Sequence, residues 1–306
     1  MTTHDTGQFR SWEERYVYFK LEFERTQSQA FAVLEAGGVH PDKTDPIENP
    51  YNGEMDSEDF SNVGEHCIAV GICADRIASE MAKSGVLDDL EKNSITERAL
   101  IHDANKRYEV FRKKAGQGAS GYTKEVYEAI QDKLPESVRA NTKMVDYMVH
   151  AGNETGHTSM EQFVRLNDSG EIELNPDRSY AEMIVHLADD MTASPLKHFK
   201  TGKLLTKNDK TVLCTVKERM DLCKFEERYP FLYQEGFGFD ENGEPTLVKD
   251  AQELEAGGET LKETKTYAEW QEIVARMICE KLVSIIKPDF TGDAEEFIKK
   301  LVNQSS

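Results

Sequence analysis

An apolar stripe with helical spacing runs through residues 58–84 and contains a histidine. Its members recur every three or four residues, as Val63, His66, Val70, Cys73 and Ile77. This spacing predicts one long amphipathic helix whose striped face packs against a core. The imidazole of His66 is therefore expected to be buried, either as a hydrogen-bonded core group or as a ligand, and other residues must decide between these two interpretations.

A second helix is predicted over residues 94–114, and it carries an adjacent histidine and aspartate. Ser94 followed three residues later by Glu97 is the pattern of a capping box, which predicts the first turn of this helix. His102 and Asp103 follow an apolar lead within the same segment. Neighbouring helix residues point about 100° apart, so the pair can hold a metal only when the ion lies close over the helix.

Basic residues follow the His-Asp pair. Lys106 would share a helix face with both members of the pair, and Arg107 and residues 112–114 continue the cationic run. The whole chain carries a formal net charge of −20, which argues against a nucleic-acid polymer as the main partner because such binding needs a cationic surface. A local cationic cluster on an acidic protein is more consistent with a small anionic ligand.

The periodicity along the chain predicts an all-α fold. Residues 1–57 are expected to form an N-terminal helix and loop packed on the core, residues 58–199 the main helical domain, and residues 200–306 a mostly helical C-terminal extension. Turn residues at 167–170 predict a small β-hairpin, and residues 236–243 predict a strand that enters a second hairpin turn.

Composition indicates a cytoplasmic location without a membrane partner. The chain is 38% hydrophobic, and it has no apolar run near the roughly 18 residues that a membrane span needs. The first residues are polar and lack the apolar region of a signal peptide. Five cysteines without a CxxC pair are more consistent with free thiols than with a disulfide framework.

The order of the candidate ligands resembles that of a known family. Glu65-His66 comes first, the segment from Leu100 to Lys106 supplies His102-Asp103, and Leu187-Ala188-Asp189 comes last. This His, His-Asp, Asp order is similar to that of the HD-domain metal-dependent phosphohydrolase superfamily, and the resemblance covers about residues 60–195. The dipeptide alone would carry little weight, because His4-Asp5 repeats it near the start of the chain.

The resemblance implies an HD-domain helical core with one divalent metal ion. The ligands it implies are His66, His102, Asp103 and Asp189, and a set of two imidazoles and two carboxylates suits Mn²⁺, Fe²⁺, Co²⁺, Ni²⁺ or Zn²⁺. The implied reaction is hydrolysis of a phosphate ester or anhydride of a small phosphorylated substrate, expected to be a nucleotide. A water molecule activated by the metal would attack phosphorus.

The family mechanism assigns roles to neighbouring residues. Asp103, Lys106 and His150 are the expected catalytic residues: a ligand, a cation that neutralises the transferring phosphoryl group, and a general acid. Lys106, Arg107, His150 and His157 are the expected substrate contacts. Glu65 and Asp190 are the alternative general acids.

Some members of the superfamily bind a second metal ion through two additional histidines. His150 matches the second of these, but residues 104–149 contain no histidine to match the first. We therefore expect one metal ion, and a second ion is the alternative that would require His157. His186, which lies three residues before Asp189, is expected beside the ligands or at the surface rather than among the ligands.

Two other classes of function remain open from the sequence. The first is an HD-type di-iron oxygenase, which would need six metal ligands. The second is a nucleotide-binding HD module without turnover, although the presence of the four core ligands and Lys106 argues against that class. A homo-oligomer is compatible with either class.

Overall fold

The computed structural model describes residues 12–43, 45–116, 123–150, 155–156, 159–193, 212–225, 229–249 and 261–303. Of the residues that the structure describes, 61% are helical and 10% are in strands, which confirms the predicted mainly helical class. Short strands also form four small sheets within the described ranges, more than the predicted hairpins. In the part of the chain that the structure describes, no helix is both long enough and apolar enough to cross a membrane.

The chain divides into two compact units. The first unit comprises Met1–Ala82, Leu87–Glu154 and Leu301–Ser306, and the second comprises Lys83–Val86 and Thr155–Lys300. These units do not coincide with the three predicted domains, because the predicted main domain, residues 58–199, contributes to both. The second unit resumes at Thr155, so the boundary falls inside the segment expected to be one HD domain.

The first unit is built mainly from helices. Its elements are α1 (Trp12–Thr26), α2 (Ser28–Ala36), α3 (Ser61–Lys83), α4 (Asp89–Ile101), α5 (Lys106–Lys114), α6 (Thr123–Ile130), α7 (Glu136–Arg139) and α8 (Thr142–His150), with the strand pair β1 (Ile47–Glu48) and β2 (Met55–Asp56). The predicted single N-terminal helix is in fact two helices, since Gln27 interrupts the helix between α1 and α2.

Two glycines allow close approaches in this unit. A Cβ on Gly71 of α3 would lie 2.7 Å from Cδ2 of Leu100, so a larger residue would push α3 away from α4. A Cβ on Gly37, directly after α2, would lie 2.3 Å from the carbonyl oxygen of Ala104. The apolar residues around these contacts, including Ile68 and Ile72, form the core of the unit. These contacts hold α3 and the segment after α4 in fixed positions.

The second unit combines helices with small antiparallel sheets. Its helices are α9 (Tyr180–Asp190), α10 (Val216–Phe225), α11 (Tyr267–Ile286) and most of α12 (Ala294–Asn303). Its strands are β3 (Val164–Leu166), β4 (Ile172–Leu174), β5 (Thr192–Ala193), β6 (Val212–Leu213), β7 (Gly236–Phe239), β8 (Pro245–Val248) and β9 (Lys262–Thr266). Strands β3 and β4 form the hairpin predicted at residues 167–170, and β7 and β8 form the second predicted hairpin.

An aromatic cluster joins α11 to the three-stranded sheet β8-β7-β9. The ring of Trp270 is fully buried and stacks on Phe237, with 4.5 Å between ring centroids. Its indole N–H donates a hydrogen bond of 2.9 Å to the carbonyl oxygen of Phe237, so its polar group is satisfied. Residues of the predicted helical extension therefore build a mixed helix-and-sheet unit.

Candidate metal centre

The helix that leads to His102 differs from its prediction at both ends. It begins at Asp89, where Asp88 and Glu91 form a capping box: each side chain accepts a backbone N–H of the other residue at 2.8 Å. The predicted capping box at Ser94 is wrong, because Ser94 lies inside α4 and its hydroxyl is hydrogen-bonded to the hydroxyl of Tyr147. Asp88-Glu91 and Ser94-Glu97 both have the spacing of a capping box, and only tertiary packing determines which of them begins the helix.

The same helix ends at Ile101, so the predicted continuous helix to Lys114 is also wrong. Residues 102–105 form a turn in which Ala104 N–H donates to Ile101 and Lys106 N–H donates to Asp103, each at 3.0 Å. Asp and Asn are weak helix formers because their side chains compete for backbone groups. Here Asn105 is buried, and its side chain donates to the carbonyl oxygen of Met148 on α8.

Three of the four predicted ligands converge in the first unit. The ligand atoms of His66, His102 and Asp103 all lie within 4.8 Å of one another. The two imidazole rings are 5.3 Å apart between centroids, and Nε2 of His102 is 3.9 Å from Oδ2 of Asp103. These three residues could hold a metal ion, and they are the one such group among the residues that the structure describes.

A hydrogen bond orients the ring of His102. Its Nδ1 lies 2.7 Å from the carbonyl oxygen of Ala99, and a carbonyl oxygen can only accept. In the neutral ring Nδ1 therefore carries the hydrogen, and Nε2 presents its lone pair on the side of Asp103. Metal-binding histidines are oriented in the same way, with the second ring nitrogen donating to a carbonyl or carboxylate.

The two histidines of this group are buried and its aspartate is partly exposed. His66 and His102 are only 7% and 4% exposed, whereas the Asp103 side chain is 29% exposed. Cys67 is fully buried beside His102, burial raises the pKa of its thiol, and it is not one of the three converging residues. The donor set therefore consists of two imidazoles and one carboxylate that solvent can reach.

The predicted phosphate-binding cations lie close to the group in sequence but have different surroundings. Lys106 begins α5, and its half-exposed ammonium group is 3.0 Å from the Glu109 carboxylate. Arg107 is 1% exposed, and its guanidinium donates to backbone carbonyl oxygens rather than facing solvent. These contacts make Arg107 part of the framework of the unit, and a substrate contact for it remains only a prediction from the sequence.

The predicted general acid lies at the end of α8. Nδ1 of His150 is 2.9 Å from the carbonyl oxygen of Asp146 and 3.2 Å from its carboxylate, and the His150 side chain is 55% exposed. His150 does not belong to the group of His66, His102 and Asp103.

His157, the other predicted substrate contact, lies outside the described residues. The alternative acid Glu65 is exposed on α3, next to His66.

The fourth predicted ligand, Asp189, lies in the second unit on α9, inside a buried ionic cluster. Arg219 of α10 reaches the carboxylate of Asp190 at 3.4 Å and that of Asp189 at 4.0 Å. Nε2 of His186 is 3.3 Å from Asp190, and its ring stacks on Phe163 with 4.4 Å between centroids. His186 thus lies in this cluster, as expected for a residue next to Asp189.

Burial and neighbouring charges shift the pKa values of the groups in this second cluster. Burial lowers the pKa of His186, against the attraction of Asp190, and raises the pKa of Asp190. Burial alone would lower the pKa of Arg219, but the two carboxylates raise it above its usual range. Sequence reasoning missed Arg219, because Lys217-Glu218-Arg219 looks like an ordinary solvated helix turn and only the packing of α10 reveals its partners.

Comparison with known proteins identifies no relative. No family model, no curated protein and no solved structure matches the chain.

Proposed function

We propose that the protein is a metal-dependent phosphohydrolase with an HD-type helical core that acts on a small phosphorylated substrate such as a nucleotide. The observation that carries this proposal is the convergence of His66 from α3 with His102 and Asp103 from the turn that follows α4. His66 and the His102-Asp103 pair, which begins 36 positions later in the chain, have their ligand atoms within 4.8 Å of one another, in the order of the HD pattern.

The chemistry of the donor set fits a first-row divalent ion. Two neutral imidazoles and a carboxylate suit Mn²⁺, Fe²⁺, Co²⁺, Ni²⁺ or Zn²⁺, and the hydrogen bond from His102 to Ala99 directs one lone pair into the group. Asp189, the further ligand implied by the HD pattern, remains part of the proposal. A bound ion would supply a Lewis acid and lower the pKa of a water molecule toward neutrality.

The protein's own residues would complete the reaction. Asp103 is the ligand that solvent reaches, so a phosphate group would approach from its side. Lys106 is half exposed, and its flexible side chain can exchange the Glu109 carboxylate for a phosphoryl oxygen. His150 is exposed and hydrogen-bonded through Nδ1, which leaves Nε2 to carry a proton for the leaving oxygen.

A metal titration combined with a substrate panel tests this proposal. The wild-type protein is loaded with Mn²⁺, Co²⁺ or Ni²⁺, its metal content is measured, and phosphate release is followed from nucleotides and sugar phosphates. His102→Ala and Asp103→Ala should each weaken metal binding by at least about 100-fold. Mutating a residue that only hydrogen-bonds a metal ligand already lowers metal affinity about 10- to 100-fold. His150→Ala is the matched control: it should keep the metal and lose turnover.

Each alternative has a distinct outcome in the same experiment. Two iron ions per chain with oxygen uptake would identify an oxygenase, and tight nucleotide binding without phosphate release would identify a binding module. Unchanged metal content in both His102→Ala and Asp103→Ala would refute the metal centre itself. An Asp189→Ala variant with wild-type metal affinity would remove that residue from the ligand set and leave the other three in place.

A further inference from the structure

Helix α1 has one face in the core of the first unit and an opposite face in solvent. Its inner side contributes Phe23, and Trp12, Tyr16 and Phe19 pack partly buried against the core. Its outer side carries three large apolar residues: Val17 is 54% exposed, Tyr18 39% and Leu21 59%. Surface apolar residues are common singly, but three on adjacent turns of one helix form a continuous patch.

Opposite charges bracket this patch. Glu14 lies one turn before Val17, Arg25 lies one turn after Leu21, and both are exposed. The positions 14, 17, 18, 21 and 25 follow helical spacing, so they form a single stripe along α1. We call these five residues the outer stripe. Arg25 is also 2.6 Å from Glu22 of its own helix, and its guanidinium has further donors for a second carboxylate.

We propose that the outer stripe pairs with the outer stripe of a second copy of this chain, with the two α1 helices antiparallel. The stripe is nearly symmetric about a point between Tyr18 and Leu21. A two-fold axis at that point brings Tyr18 against Leu21 of the partner subunit and Glu14 against Arg25 of the partner subunit. A two-fold interface uses the same patch twice, so each contact occurs twice.

Charge selects the antiparallel arrangement over the parallel one. Parallel helices would place Glu14 against the same residue of the other copy, and Arg25 likewise, so both ends would repel. The antiparallel pair replaces these repulsions with two ion pairs at the rim and keeps the apolar residues at the centre. From Glu14 to Arg25 the contact is about 16 Å long at 1.5 Å per residue, a length that one helix pair covers.

The size of the patch sets the expected affinity. A standard stable interface buries about 1,600 Å², and one face of a single 15-residue helix in each subunit supplies less than that. The pair is therefore expected to dissociate in the micromolar range and to exchange rapidly. Ion pairs at the rim are exposed, so added salt should weaken the dimer.

Sedimentation velocity over a concentration series of the full chain tests the pairing. The wild type should shift from monomer to dimer with rising concentration, and Leu21→Glu should weaken the dimer at least about tenfold, because it places a carboxylate at an apolar centre. Leu90→Glu is the matched control, since Leu90 is an exposed leucine on α4, 78% exposed, outside the outer stripe. It should leave the dimer unchanged.

Charge exchange tests the orientation. Glu14→Arg alone and Arg25→Glu alone should each weaken the dimer about fivefold, because each creates two like-charge contacts. The double variant Glu14→Arg/Arg25→Glu should return to within about twofold of the wild type. The proposal would be overturned if the wild type stayed monomeric at hundreds of micromolar, or if Leu21→Glu left the dimer dissociation constant unchanged. Failure of the double variant to recover would overturn the antiparallel arrangement.

Discussion

Replacing Arg107 with methionine separates two roles for this residue, a framework role and a substrate contact. The guanidinium is 1% exposed and donates to the carbonyl oxygens of Gly38, Asp45 and Asp56 at 3.2, 3.4 and 2.8 Å. It also lies 5.3 Å from the ring centroid of Phe60. One side chain of α5 thus ties together three points of the segment between α2 and α3.

The loss expected from this change follows from those contacts. Methionine has a similar length but donates no hydrogen bond, so three carbonyl groups lose their donor and the Asp56 carboxylate loses a cation 3.8 Å away. Each unsatisfied buried polar group costs about 1–3 kcal/mol, and solvent can satisfy part of this need. The Asp56 carboxylate keeps the Lys114 ammonium 2.5 Å away, so the lost hydrogen bonds to the three carbonyl groups account for most of the cost. We expect the free energy of unfolding of the first unit to fall by about 3–5 kcal/mol.

Urea denaturation of Arg107→Met beside Lys106→Met measures this difference. Lys106 is the neighbouring cation, but it is half exposed with a surface ion pair to Glu109, so its replacement should cost less than about 1 kcal/mol. Equal midpoints for the two variants would refute the framework role. If Arg107→Met were as stable as wild type and had lost substrate binding, the residue would be the substrate contact expected from the sequence.

Three further predictions concern other parts of the protein. Thr266→Ala removes the capping box that starts α11, where Thr266 and Glu269 bond each other's backbone N–H, and it should cost about 1 kcal/mol in thermal unfolding. All five cysteines are buried thiols outside any disulfide, so a thiol reagent should modify none of them in the folded protein and all five in urea. Burial raises the pKa of Asp75 above 3.8. The ionised form is therefore disfavoured on folding, and Asp75→Asn should gain stability relative to wild type as the pH rises above 3.8, a difference that urea midpoints across pH would measure.

The local predictions from the sequence hold where neighbouring residues decide the structure. The apolar spacing of residues 58–84 predicted a long helix with His66 on its buried face, and α3 has both features. The turn residues at 167–170 predicted a hairpin that the structure contains. In both cases the side chains that determine the element lie within a few residues of one another, so the pattern can be recognised in the sequence.

The predicted start of α4 and its predicted continuation into α5 are wrong, because contacts with residues distant in the sequence determine both. Ser94-Glu97 and Asp88-Glu91 are equivalent as capping patterns, and only packing shows that Ser94 faces Tyr147. The turn at residues 102–105 is stabilised by Asn105, whose amide donates to Met148 across the unit. The sequence of α5 likewise does not distinguish the exposed Lys106 from the buried cation beside it.

The sequence by itself determined most of the helical segments, the hairpins and the order of the candidate ligands. Tertiary structure alone decided which of these ligands meet, because the approach of α3 to α4 at Gly71 and Leu100 sets the distance from His66 to His102. It also decided that Arg107 belongs to the framework and that Arg219 lies between two carboxylates. Spacing along the chain fixes which face of an element a residue occupies, but burial and partners depend on what packs against that face.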